Sequence, residues 1–416
     1  MRTAALAPYR VLDLTDERAW MTGKMLADLG ADVVKIEPPG GDPGRHRGPF
    51  AGEVPDPAES LPWWFSNKGK RGLTLDLDRA DGQAVLRRLV ASADVLVESF
   101  PVGWMADRDL GYEDLAALRP SLVYTSVSPF GQTGPRSGWS ASDLVLAAAG
   151  GPLWLTGDRD RPPVRPSVPQ YDNLAGAEAA VATMIALFHA AGTGEGQHVD
   201  VAAQLAATRT LMNATAFPQL EGSEVTRQGQ LVAHGHARFR MIYPCADGHV
   251  TVLISGGAIG AMVMTAMLGW IDESEGLPEW LSSVDWSTID FATLADTPDG
   301  LGFFERVSAL IGEFLLTKTK DELYSEALRR RFLLAPVNTV ADIRADEQLA
   351  AREYFVAVDH GERGPVIYPG AWAKLSATPL VETPRAPTPG EHNDEVLAEA
   401  GYSVEERSTL FQSGAV

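Results

Sequence analysis

The sequence predicts an α/β protein with a large Rossmann-like domain built on a parallel sheet and a smaller α+β domain, and three observations carry that reading. Apolar strand patterns and helical periodicities alternate from residue 10 to residue 201, as in strands joined by crossover helices, which implies parallel pairing. The texture breaks at residues 217–238, which are polar and weakly periodic, and a hairpin pattern follows. At 416 residues with 45% apolar content, the chain exceeds one ordinary domain and can fill two cores.

Taken in order, residues 10–14 read as a strand, 20–29 as a helix and 31–37 as the next strand. The turn Thr15-Asp16-Glu17-Arg18-Ala19 between the first two carries no G-x-G-x-x-G, which argues against nicotinamide or flavin binding. Residues 38–62 form a Gly- and Pro-rich loop with Arg45, His46 and Arg47, longer than a passive connection and therefore expected beside a site. A strand at 73–77, an amphipathic helix at 82–91 and a strand at 94–97 follow, the last ending at Glu98-Ser99-Phe100-Pro101. Such strand ends are where parallel sheets bind ligands. Residues 112–118 read as a helix, 122–127 as a strand, 131–135 as a breaker-rich loop and 143–149 as a helix.

A long alanine-rich helix starts near Asp172, with Leu174, Ala177, Val181, Met184, Ile185 and Leu187 at helical spacing and Gly192 and Gly194 closing it. Asp172 at its start has two readings. As an N-cap it accepts a hydrogen bond from the first free amides, worth about 1 kcal/mol. As a nucleophile it is a carboxylate held ionised by those amides and the positive helix end. Beyond it come a short strand at 198–201, a helix at 202–212 and the polar linker. A hairpin at 241–252 with its turn at Asp247-Gly248 opens the smaller domain, followed by helices at 258–268, 303–316 and 320–330. Extended returns at 336–338 and 355–375 and a final helix at 391–400 complete the expected elements.

The 55 acidic against 35 basic residues give a net charge of −20, which disfavours nonspecific nucleic-acid binding and attraction to anionic membranes. The single Cys245 excludes an intrachain disulfide framework and fits a reducing cytosol, and is expected to be a packed residue. His46, His189, His198, His234 and His236 form no metal-binding signature. Without a signal-peptide pattern or a long uncharged apolar run, the protein is expected to be soluble and cytoplasmic.

Several blocks together resemble the family III CoA-transferases, the group of formyl-CoA transferase and carnitine CoA-transferase with α-methylacyl-CoA racemase as a sister. They are residues 26–39 (Leu26-Ala27-Asp28-Leu29-Gly30-Ala31-Asp32 into Lys35-Ile36-Glu37-Pro38-Pro39), Asn67-Lys68-Gly69-Lys70-Arg71, and residues 93–100, 130–135, 193–197, 243–248 and 389–397. Gly157 and Pro162-Pro163-Val164 precede Asp172 as they precede the family's catalytic Asp. The resemblance implies that Asp172 attacks an acyl-CoA thioester and carries CoA covalently to a carboxylic acid acceptor. It implies a CoA site drawing on Arg18, Ala19, Leu75, Asp76, Ser99, Phe100 and Arg108, with Ser140, Ala141, Ser142 and Asp143 near the thioester end. CoA enters as part of the substrate, with no tightly bound cofactor and no metal.

It further implies an interlocked homodimer, and the net charge adds the expectation of no nucleic-acid and no membrane partner. Each chain would be divided into a large domain with the CoA site at 1–203, a linker at 204–235, a small α+β domain at 236–331, a return linker at 332–383 and a C-terminal segment at 384–416 packing on the large domain. Departures are Arg18-Ala19-Trp20 in place of a frequent Gly-Pro, Pro38 in place of a basic residue, and no glycine-rich loop near residues 238–242. Two other readings are a 2-methylacyl-CoA racemase, which would need a His where Ser142 stands, and a non-catalytic acyl-CoA-binding protein.

Overall fold

The computed structural model describes residues 4–234, 237–253, 257–289 and 298–416. Two compact units divide the chain: one comprises Met1–Leu153, Arg165–Glu224 and Ala350–Val416, the other Trp154–Val164 and Val225–Leu349.

The larger unit is organised on β1 (Arg10–Leu14), β2 (Asp32–Glu37), β3 (Arg71–Thr74), β4 (Val95–Glu98), β5 (Val123–Ser128) and β6 (Gln197–Ala202). All five strand pairs are parallel, in the order β3-β2-β1-β4-β5-β6. That is the doubly wound order, whose direction reverses between β1 and β4 and opens a crevice at their carboxyl ends. The alternation of side chains explains why such strands read as continuous apolar runs, since both faces are covered. On one face Val11, Val33, Val95, Val97 and Val123 pack with Leu26 of α1 (Trp20–Asp28) and with Ala175, Ala179 and Leu187 of the long central helix. On the other, Leu12, Val34, Ile36, Leu96 and Tyr124 meet Leu86 and Leu89 of the helix Ala80–Val90 together with Val396, Leu397 and the terminal Val416. The C-terminal segment is stitched to β3 by Asn393, whose Oδ1 accepts from the Thr74 amide at 2.9 Å and whose Nδ2 donates to Thr74 Oγ1 at 2.8 Å.

The central helix runs Tyr171–Thr193 and ends at Gly194 in the left-handed conformation. Its small residues let it approach α1 closely: a Cβ on Gly176 would lie 2.8 Å from Met21 Cβ, and Thr22 Oγ1 donates to the Gly176 carbonyl at 3.0 Å. This helix is long and apolar enough to cross a bilayer, a property it shares with core helices, and its buried stripe faces the sheet core. The opposite stripe, Val181, Ile185 and Phe188, is exposed.

The unit extends to Glu224, past the sequence-suggested boundary at 203, because Ala206 and Ala207 of the helix Ala203–Arg209 are buried in the same core. Elements that periodicity did not reveal include the helix Leu61–Asn67 and the last helix, Val404–Ser413. The expected extended return at 355–375 is a hairpin of Phe355–Asp359 against Pro365–Pro369, with Val358 and Tyr368 packed with Trp63 and Trp64.

In the second unit, Leu231–His234, inside the stretch expected to be linker, pairs with Ala237–Arg240. A three-stranded antiparallel sheet joins Ile242–Cys245, Gly248–Val252 and Leu334–Val337, so residues 336 and 337, expected to be extended, belong to its third strand. The hairpin pairs Gly248 with Cys245, which makes Ala246 and Asp247 its turn residues, one position earlier than expected. Tyr243, Val250, Met264, Met267, Ile311 and Phe314 form its core, and Cys245 is buried and free. His236, where the small domain was expected to begin, lies outside the described residues.

Candidate active site

Buried charge underlies the turn that follows β1. Lys70 Nζ donates to Asp13 Oδ2 at 2.7 Å, to the Trp20 carbonyl at 3.0 Å and to Asn67 Oδ1 at 2.8 Å, which uses all three of its protons. Burial pushes Lys70 down to about 8 against the pull of Asp13. Burial would raise Asp13, but Lys70 and Lys35 overcome it and hold the carboxyl below its ordinary range. Lys35 Nζ bonds the Thr15 carbonyl, and Asp13 Oδ1 accepts from the Thr15 amide at 3.0 Å and hydroxyl at 2.6 Å. A Cβ on Gly23 would fall 2.1 Å from Asp13 Oδ2, so α1 can lie against this cluster only with glycine there. The turn of residues 15–19 is thereby pinned from below.

On that turn Asp16 gathers two predicted residues. Arg18 Nε donates to both Asp16 oxygens at 2.9 Å and its Nη2 reaches the Ser99 carbonyl at 2.7 Å. Ser99 Oγ accepts from the Asp16 amide at 2.8 Å. Arg47, from the long loop, pairs with Glu17 at 2.5 Å. Ala19 and Leu75 are buried in the two sheet cores, so their side chains are packing groups; Asp76 binds the Ala415 carbonyl through its backbone amide at 2.8 Å.

Phe100 stacks on Trp104 with ring centroids 4.1 Å apart, and the Arg108 guanidinium lies 3.7 Å above the Trp104 ring. Asp78 holds Arg108 at 2.6 Å. Trp104 escaped the sequence reading, although the four-residue spacing of Phe100, Trp104 and Arg108 is a signal that could have found it. Glu98, at the end of β4, was also missed as a functional group. Burial pushes it up to about 7, and its Oε2 accepts from the Phe100 amide at 2.7 Å. It lines a cavity of roughly 250 Å3 with Tyr112, Tyr124, Ser126 and His198, where Ser126 Oγ and His198 Nε2 are 2.9 Å apart.

Asp172 lies in the first turn of the central helix, and its surroundings overturn both the capping role and the cause expected for its charge. The cap is Asp143, first residue of the helix Asp143–Ala149, whose Oδ1 accepts from the amides of Gln170 at 2.9 Å, Tyr171 at 2.7 Å and Asp172 at 3.2 Å. The free amides that were expected to hold Asp172 ionised are therefore taken. Asp172 Oδ1 is buried without a hydrogen-bond partner. Burial first, then the charges of Asp143, Asp16 and Glu17, push the Asp172 carboxyl up to about 7, with Arg18 pulling the other way. Ser140 and Ser142, in the segment leading to Asp143, are exposed, and Ala141 is half-buried. The structure thus brings Asp172, Arg18, Ser99 and Asp143 to the crevice, while Phe100 and Arg108 form a separate stack with Trp104 on the loop after β4. Among the described residues no group of three His, Cys, Asp or Glu side chains could hold a metal ion.

The model of CoA-transferase family III matches residues 6–393. The chain is 39% identical to the succinyl-CoA:(R)-benzylsuccinate CoA-transferase subunit BbsE of Thauera aromatica, over 98% of this chain and 97% of that protein. It is 32% identical to the succinate–glutarate CoA-transferase of Agrobacterium fabrum, over 96% of each. Among solved structures, a CAIB/BAIF family protein from Brucella suis superposes with a TM-score of 0.81 at 29% identity, over 96% of this chain and all of that one. The chain belongs to CoA-transferase family III and is an acyl-CoA:carboxylate CoA-transferase.

Proposed function

We propose that Asp172 is the nucleophile of this CoA-transferase, with a dicarboxylic acyl-CoA such as succinyl-CoA as donor and a second dicarboxylic acid, of the alkyl- or aryl-substituted succinate and glutarate class, as acceptor. The observation that carries the reading is a buried carboxylate oxygen with no partner at the mouth of the crevice, beside Arg18. A carboxyl titrating near 7 is partly ionised at neutral pH and more basic than an ordinary Asp, which suits nucleophilic attack. The substrate class rests on the benzylsuccinate and glutarate enzymes that the chain resembles along nearly its whole length.

In the proposed cycle Asp172 attacks the thioester carbonyl, the C–S bond breaks and CoA leaves as thiolate, giving a mixed anhydride. The thiolate attacks the aspartyl carbonyl and expels the donor acid, leaving a β-aspartyl-CoA thioester. The acceptor carboxylate attacks that thioester and releases the thiolate, which then attacks the acceptor carbonyl of the second anhydride and frees Asp172 as carboxylate. Every step exchanges one acyl bond for another and needs no external oxidant, reductant or resident cofactor. Arg18 supplies positive charge beside the anionic intermediates, and the stack of Phe100, Trp104 and Arg108 offers a planar cationic surface for the nucleotide of CoA.

The protein acts as an interlocked homodimer in the cytoplasm; the exposed apolar stripe Val181, Ile185 and Phe188 supports a second chain on the central helix, and the lone free Cys245 fits a reducing compartment. Peptide mass spectrometry after incubation with succinyl-CoA tests the nucleophile. A CoA mass, or a hydroxamate after hydroxylamine, is expected on the peptide containing Asp172 and absent from Asp172→Asn. Sedimentation as a monomer at micromolar concentration would contradict the dimer.

A further inference from the structure

The amides at a helix start are ordinarily bonded by a side chain of the first turn or the residue before it. Here Gln170 makes no side-chain cap, and the carboxylate that could fold back, Asp172, does not. One oxygen of Asp143, which lies 29 residues earlier, collects three amides at 2.7–3.2 Å. Such convergence of N–H groups on an anion is charge-assisted and directional. We propose that Asp143 is a positioning residue of the transfer reaction, capping the central helix from outside so that the Asp172 carboxylate is left unbonded and aimed into the crevice.

Two features make this more than a structural tie. With Asp143 absent, the vacated amides are open to the Asp172 side chain of the same helical turn, which would recapture the nucleophile as a cap. The charge of Asp143 also faces Asp172 together with Asp16, Glu17 and the opposing Arg18, so it contributes to the proton affinity of the attacking group. The segment of residues 140–142 leads directly into Asp143, so a substrate that shifts this segment acts on the start of the central helix. The inference rests on the nucleophile reading of Asp172.

The test compares Asp143→Ala and Asp143→Asn in the full-length enzyme. Asp143→Ala is expected to slow covalent CoA loading of Asp172 about 100-fold, as misplacement of a reacting group does. Asp143→Asn keeps an oxygen acceptor, so it is expected to recover most of the loading rate while moving the acid limb of the kcat/KM profile to lower pH. A merely structural residue would alter stability without moving that limb. Parental loading by Asp143→Ala would overturn the proposal. If Asp143→Ala does not fold, an Asp143→Asn enzyme with an unmoved acid limb overturns it as well. A parent enzyme that never carries CoA on Asp172 would instead refute the nucleophile reading itself, which separates the two failures.

Discussion

Replacing Asp172 by Asn tests the site through stability as well as rate. In the folded protein the carboxyl titrates at about 7, against an ordinary 3.8. An unfolded chain therefore releases this proton at lower pH than the native one, and native stability is lost as pH rises from about 4 through about 7. At 1.36 kcal/mol per pH unit the ionised group costs the fold at most about 4 kcal/mol at pH 8 and under about 2 kcal/mol at pH 5. Asp172 retains some solvent contact, so a gain of about 1–3 kcal/mol is expected for Asp172→Asn at pH 8, shrinking as the pH falls. Equilibrium denaturant unfolding at pH 5, 6 and 8, at matched protein concentration, reads this directly. The same variant should transfer CoA slower by orders of magnitude, because an amide cannot form the anhydride. A variant less stable than the parent at pH 8 would mean that the carboxylate bonds the helix amides after all. Parental turnover by Asp172→Asn would refute its role as nucleophile.

Lys70→Met leaves Asp13 buried beside Lys35 with one cation fewer, and a loss of about 3–5 kcal/mol in denaturant unfolding is expected. Gly176→Ala forces a Cβ to 2.8 Å from Met21 Cβ where the central helix packs on α1; thermal or denaturant unfolding should show a loss of about 1–3 kcal/mol. Trp104→Ala removes the middle layer of the stack between Phe100 and Arg108, so KM for the acyl-CoA should rise about 10-fold in steady-state assays with kcat little changed. An unchanged KM would place the nucleotide elsewhere.

Much of the larger unit was written in local pattern. The runs at Arg10–Leu14, Asp32–Glu37, Val95–Glu98 and Val123–Ser128 are largely buried on both faces because helices cover both, and their alternation with helical periodicity implies parallel pairing. The helix after Asp172 was legible in the same way, to its closing Gly194. Less was legible where neighbours along the chain do not decide the conformation. The helix Leu61–Asn67 sits in a loop rich in Gly and Pro, and the hairpin of residues 355–369 is held by Trp63 and Trp64, nearly 300 residues earlier.

The Asp172 carboxylate divides along the same line. Its residue type, its place at a helix start and the motifs around it were in the sequence, and they left two roles open. Which carboxylate caps the helix was settled only when the chain brought Asp143 across 29 residues to the amides of Gln170, Tyr171 and Asp172. Likewise the pairing of Lys70 with Asp13 spans 57 residues. Local periodicity reports which face of an element is apolar. A hydrogen bond or a shifted titration depends on which groups converge in space and how much water they exclude, and the tertiary fold decides both.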